Sequence, residues 1–125
     1  LGNEPLAICD TGHNIGGMQY IVGQLASTPH EKLHFIIGMV NDKDIDSVLG
    51  ILPKDAEYYF TQASVQRALA AESLAIKAGK VGLKGVVITD VKEAYRKARQ
   101  NATKDDLIFV GGSTFVVADL LKTDF

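Results

Sequence analysis

The stretch Pro5-Leu6-Ala7-Ile8-Cys9-Asp10-Thr11-Gly12-His13-Asn14 changes character midway. Its first half is a short apolar run with the length and flanks of a buried strand. Beyond its second half, Ile15, Met18, Val22 and Leu25 recur at i, i+3, i+7 and i+10, which is one stripe of a helix. Gly12, Gly16 and Gly17 permit close approach of backbone or ligand around the junction. A strand that turns into a helix through Asp, Gly, His and Asn gathers polar side chains and helix N–H groups in one place. In open α/β sheets that place is where ligands bind.

Working outward, the apolar period keeps switching between strand and helix. Strands are expected at residues 33–39, 57–61, 85–89 and 106–111. Asp44 can cap a short helix with Ile45, Val48, Leu49 and Leu52 on one face, ended by Pro53. An Ala-rich helix is expected over about 65–78, with Gly79 as its C-terminal cap. Asp90 and Glu93 form a capping-box-like pair, and Val91, Ala94, Tyr95, Ala98 and Ala102 share one face of the helix that follows. Ser113 or Thr114 caps a last helix. This alternation predicts a single α/β domain over residues 1–125. It has three layers, with about five parallel strands and helices on both faces.

Composition narrows the classes of partner. With 46% hydrophobic and 22% charged residues, the 125-residue chain can bury a proper core, which argues against disorder. The formal net charge is −2 and no Lys/Arg run occurs, so neither a nucleic acid nor an anionic membrane is the expected partner. Cys9 is the only cysteine; it reads as a small core residue, and a reducing, cytoplasmic compartment fits. No apolar run is long enough to span a bilayer, and nothing ahead of the first strand reads as a signal peptide.

In a parallel sheet all strands end on one edge, so the polar clusters that follow the strands should share it. They are Asp10-Thr11-Gly12-His13-Asn14, Asn41-Asp42-Lys43-Asp44, Thr61-Gln62-Ala63-Ser64 with Arg67 beyond, and Gly111-Gly112-Ser113-Thr114. Each alone is adequately explained by helix capping and turns; together they suggest a site. The chain has no Gly-x-x-x-x-Gly-Lys-Ser/Thr phosphate loop, no Gly-x-Gly-x-x-Gly fingerprint and no Gly-x-Ser-x-Gly elbow. His13, His30 and His34 lack metal-ligand spacing, and no metal site is expected. His34, within a strand, reads as a hydrogen-bonded core residue, and His30 as a loop residue.

Three of these segments carry a resemblance. Asp10-Thr11-Gly12-His13-Asn14 resembles the Asp-x-Ala/Gly-His-Asn motif that opens the C-terminal domain of folylpolyglutamate and dihydrofolate synthases. Gly38-Met39-Val40-Asn41-Asp42-Lys43-Asp44 resembles that family's Gly-Met-x-x-Asp-Lys-Asp signature, which sets it apart from the related Mur-type peptidoglycan ligases. Gly111-Gly112-Ser113-Thr114-Phe115 resembles the closing Gly-Ser segment. The resemblance covers nearly the whole chain. It implies a Rossmann-like C-terminal domain of a larger ATP-dependent ligase, whose N-terminal and central domains are absent from this chain. ATP and Mg2+ would be bound mainly by the central domain. The implied reaction activates a carboxylate of dihydropteroate or folate as an acyl phosphate, which the amine of L-glutamate attacks.

The resemblance also implies roles. Asp10 would contact the nucleotide ribose. His13 would reach the phosphate or the incoming glutamate and is the catalytic candidate. Lys43 would pair with a glutamate carboxylate, and Ser113 and Thr114, at a helix N-terminus, with another. Arg67 roughly matches a family arginine and is given no role. On this reading the 125-residue chain alone is not a competent enzyme. An alternative is a cobalamin-binding module, whose Asp-x-His-x-x-Gly motif is approached by His13-Asn14-Ile15-Gly16; two residues rather than one separate Asp10 from His13. A phosphoacceptor receiver domain would need an Asp where Thr61 stands.

Overall fold

The computed structural model describes residues 6–9, 15–28, 30–40, 45–64, 68–112 and 116–118. Its elements in chain order are β1 (Leu6–Cys9), α1 (Ile15–Ser27), β2 (Leu33–Ile37), α2 (Ile45–Gly50), β3 (Glu57–Phe60), α3 (Ala71–Lys80), β4 (Gly85–Val87), α4 (Val91–Asn101) and β5 (Leu107–Gly111). The strands form one sheet in the order β1-β5-β2-β3-β4, and every pairing is parallel.

The side-chain period of two divides the core. Phe35, Ile37, Tyr58, Phe60, Leu107 and Phe109 point to one face and pack with Met18, Ile21 and Leu25 of α1, Val48 and Leu49 of α2 and Leu74 and Ala78 of α3. Ile36, Tyr59, Ile108 and Val110 point to the other and pack with Val91, Ala94, Tyr95 and Ala98 of α4 and with Val116. Strand order accounts for the split. The chain moves one way across the sheet from β1 through β2 and β3 to β4, so right-handed crossovers place α1, α2 and α3 on one face. It then returns from β4 to β5, and the same handedness puts α4 on the other. Both faces are therefore covered, and β2 and β5 are buried along their whole length. The edge strand β4 is exposed throughout.

Local expectations hold at α4, where the Asp90 carboxylate accepts the Glu93 N–H at 3.0 Å. Three are corrected. The helix expected over 65–78 begins at Ala71, because Ala68 is taken into a bridge with Val40 and Gln62 Oε1 accepts the Ala71 N–H at 3.0 Å; residues 65–67 lie outside the described residues. That helix runs through Gly79, and the positive φ of its C-terminal turn falls on Gly82 instead. In α1 the fully buried stripe is Met18, Ile21 and Leu25, so Ile21 is added to the expected face, and Val22 is half-buried and packs against the same cluster. The cap expected at Asp44, and the side chain of Ile15, lie outside the described residues.

At the amino edge of the sheet, His34 is buried and hydrogen-bonded as expected. Its Nε2–H donates to Asp106 Oδ2 at 2.9 Å, and its Nδ1 lies 3.0 Å from the Tyr59 hydroxyl, which accepts Asn101 Nδ2–H at 3.2 Å. The Thr103 and Lys32 N–H groups donate to the same carboxylate at 3.0 and 3.3 Å. This network ties β2, β3, α4 and the turn before β5 together.

Candidate active site

Asp10, His13, Lys43, Arg67, Ser113 and Thr114 all lie outside the described residues. What the structure describes is the frame from which their segments leave. β1 ends at Cys9, one residue before Asp10; β2 ends at Ile37, six before Lys43; β5 ends at Gly111, two before Ser113. These three strands are neighbours, with β5 in the middle. They also end level: Cys9 and Ile36 both register with Val110, and Ile37 with Gly111. At a strand spacing of about 4.8 Å, the outer two of the three exits are roughly 10 Å apart. The chain after β1 goes to α1 and after β2 to α2, on one face, whereas Val116, after β5, packs on the α4 face. A crevice between oppositely directed connections opens at such a switch point, and here β5 has one on each side.

Two glycines shape the middle exit. Gly112 has φ +95°, and a Cβ on it would stand 2.6 Å from the Gly38 carbonyl oxygen and 2.9 Å from Ile37 Cγ1. A Cβ on Gly38 would stand 2.6 Å from Val116 Cγ2 and 3.0 Å from the Thr61 carbonyl oxygen. The Gly38 N–H donates to the Gly111 carbonyl at 3.4 Å. The chains leaving β2 and β5 therefore interlock without side chains between them.

The loop after β3 is fastened to the same edge. Thr61 N–H donates to the Ile37 carbonyl at 2.9 Å, and its buried hydroxyl donates to the Thr89 carbonyl at 2.7 Å. Further on, Leu69 N–H donates to the Met39 carbonyl at 2.8 Å, and Val40 and Ala68 form an antiparallel bridge. No sequence period signals this bridge, because one residue on each strand is too short to show alternation. Cys9 is half-buried, and burial pushes its thiol pKa up, away from a reactive thiolate. A separate cleft of about 490 Å3, between the end of α1 and the α2–β3 turn, is lined by Val22, Leu25, Ile51 and Pro53 and lies at the amino edge, away from these exits.

The fold is a doubly wound α/β domain in which β1, β5 and β2 end level at one carboxyl edge. The chain belongs to the family described as Mur ligase, glutamate ligase domain, whose model matches residues 1–114. It is 30% identical over 120 residues to a Halobacterium salinarum protein named "Probable bifunctional folylpolyglutamate synthase/dihydropteroate synthase", covering 95% of this chain and 15% of that one. It is 25% identical to the dihydrofolate synthase/folylpolyglutamate synthase of Buchnera aphidicola, covering 96% of this chain and 29% of that one. Among solved structures it is similar to E. coli FolC in complex with DHPP and ADP, with a TM-score of 0.86 and 27% identity over 98% of this chain and 29% of that one. The chain thus spans between about a seventh and a third of the length of these relatives. Among the described residues, no helix is long and apolar enough to cross a membrane.

Proposed function

We infer that this chain is the C-terminal glutamate-ligase domain of a cytoplasmic, ATP-dependent ligase that adds L-glutamate to dihydropteroate or a folate. The observation that supports the reading is the adjacency of β1, β5 and β2, the strands that precede the three motif segments in the chain. Bound molecules in relatives support it: DHPP and ADP in FolC, and Mn, AMPPNP and L-glutamate in a bifunctional folylpolyglutamate synthase/dihydrofolate synthase with which this chain shares 31% identity.

The chemistry needs a leaving group on an otherwise unreactive carboxylate. A carboxylate oxygen of the folate-type substrate attacks the γ-phosphorus of ATP, and ADP departs. The glutamate amine then attacks the acyl carbon, loses a proton and expels phosphate, leaving an amide. In this scheme Asp10 accepts from the nucleotide ribose, His13 faces the phosphate or the entering amine, and Lys43 holds one glutamate carboxylate. Ser113 and Thr114 donate to the other. One carboxylate, one imidazole, one ammonium and two hydroxyls suit hydroxyls and anions. ATP and Mg2+ are assigned mainly to the central domain, as the family resemblance implies.

The test is an assay of the intact polypeptide for ATP-dependent glutamate addition to dihydropteroate and to a tetrahydrofolate. Activity with either supports the reading and selects between dihydrofolate synthase and folylpolyglutamate synthase. Turnover with neither, by a folded protein that binds ATP, overturns it.

A further inference from the structure

The cleft at the amino edge, between the end of α1 and the α2–β3 turn, takes no part in the scheme above. Its volume of about 490 Å3 is that of a small-molecule site. Its floor is Val22, Leu25, Leu33, Ile51 and Pro53. Leu25 and Leu33 belong to the buried core, and Val22 and Ile51 pack against it half-buried, so the floor is apolar and firmly backed. The far wall is held as well, because the Tyr58 hydroxyl donates to the Pro53 carbonyl at 2.6 Å.

The polar groups around this floor are acceptors. Glu31 and Asp55 contribute carboxylates, and no lysine or arginine is among the described residues that line the cleft. The lysines next to them in the chain are turned elsewhere. Lys32 Nζ lies 3.6 Å from Glu57 Oε1, and the Lys54 stem runs 3.7 Å from where a Cβ on Gly82 would stand. His30 is oriented by its own loop. Its Nδ1 lies 2.6 Å from the Thr28 carbonyl oxygen, and a carbonyl can only accept, so Nδ1 carries the hydrogen. In the neutral ring Nε2 is then the acceptor. The helix ends add to the same sign. α1 and α2 both end at the cleft, and neither has a basic residue in its last turn, whereas α3 has Lys77 and Lys80 and α4 has Arg99. The negative ends of these two helices are left without a cation beside an apolar hollow.

We propose that this cleft binds a small organic cation, an ammonium group carried on an apolar body. The body covers the floor of Leu25, Leu33 and Ile51, and the ammonium lies toward Glu31, Asp55 and His30. An ammonium has three N–H donors and no acceptor, which suits a rim made of acceptors. A carboxylate or phosphate in its place would meet two like charges and no cation. A neutral molecule would gain the floor alone. The cleft lies on the edge opposite the strand ends that precede the motifs, so the proposal stands apart from the glutamate-ligase reading.

The test is equilibrium binding of three compounds of matched size to the intact ligase, followed by saturation-transfer NMR: 2-phenylethylamine, 2-phenylethanol and 3-phenylpropionate. The amine should bind. The alcohol and the carboxylate should each bind at least about tenfold more weakly, because only the amine makes charge-assisted contacts. Two sets of surface substitutions locate the site. Glu31→Gln with Asp55→Asn removes both charges. Ala26→Lys brings a resident ammonium to the last turn of α1, where a cation also suits the helix dipole. Each should weaken amine binding at least about tenfold. Saturating L-glutamate should not displace the amine. Equal binding of the three compounds, amine binding unchanged in either variant, displacement by glutamate, or no amine binding at all overturns the proposal.

Discussion

The carbonyl oxygen of Gly38 lies 2.6 Å from the point where a Cβ on Gly112 would stand. One glycine belongs to the chain leaving β2, the other to the chain leaving β5, so their contact sets how closely the two chains pass as they leave the sheet.

Gly112→Ala should therefore be costly twice over. It places a Cβ against backbone that cannot rotate away, and it holds alanine at φ +95°. A loss of about 2 kcal/mol or more is expected in urea unfolding of the domain. In the intact ligase, kcat should fall even at temperatures where the variant remains folded. Wild-type stability would show that the two chains do not interlock.

Asp106 gives a pH dependence. Burial alone would raise its carboxyl pKa, but hydrogen bonds from the Thr103 N–H and from His34 outweigh burial and hold it below the ordinary 3.8. The folded state then releases this proton more readily than the unfolded state. The resulting stability is complete above the unfolded carboxylate range and is lost as pH falls through the lower, folded pKa, that is, below about pH 4. Asp106→Asn should flatten this acid limb in urea midpoints measured from pH 7 to pH 2.5. Asp106→Ala should cost about 3 kcal/mol at pH 7, because it leaves the buried His34 ring and the Thr103 N–H without their acceptor.

Asp90→Ala removes the acceptor of the Glu93 N–H at the start of α4. The expected loss is about 1 kcal/mol, and Asp90→Ser should recover most of it. Equal stability of the alanine and serine variants would show that the cap contributes nothing.

In the intact ligase, Lys43→Ala should raise the KM for glutamate on the order of tenfold with little change for ATP, and Asp10→Ala should weaken ATP use more than glutamate use. Steady-state kinetics with each substrate varied in turn checks both. An inverted pattern would exchange the two roles.

The 125-residue chain on its own contains no Gly-x-x-x-x-Gly-Lys-Ser/Thr loop. It should show weak or undetectable ATP binding by calorimetry and no glutamate addition. Turnover by the purified chain would place the phosphoryl-transfer machinery within it.

The sequence by itself determined the class of fold and the identity of the motifs. Alternation of period two and period 3.6 is a local signal, written in residues a few positions apart; it is enough to read five strands and the buried faces of α2 and α4. Helix ends were less legible. The start of α3 is set by Ala68 pairing with Val40, 28 positions away, and its last turn closes on Gly82 rather than on the equally plausible Gly79. Only the tertiary structure decided the order β1-β5-β2-β3-β4. Every crossover in a parallel sheet leaves the same local pattern whether it passes one strand or three. Nothing near Gly111 in the chain says that β5 inserts between β1 and β2. That insertion makes neighbours of β1 and β5, about a hundred residues apart in the chain, and the Val40–Ala68 bridge ties the chain after β2 to the chain after β3. The residue types of the motifs are properties of the chain, and the adjacency of the strands that carry them is a property of the sheet.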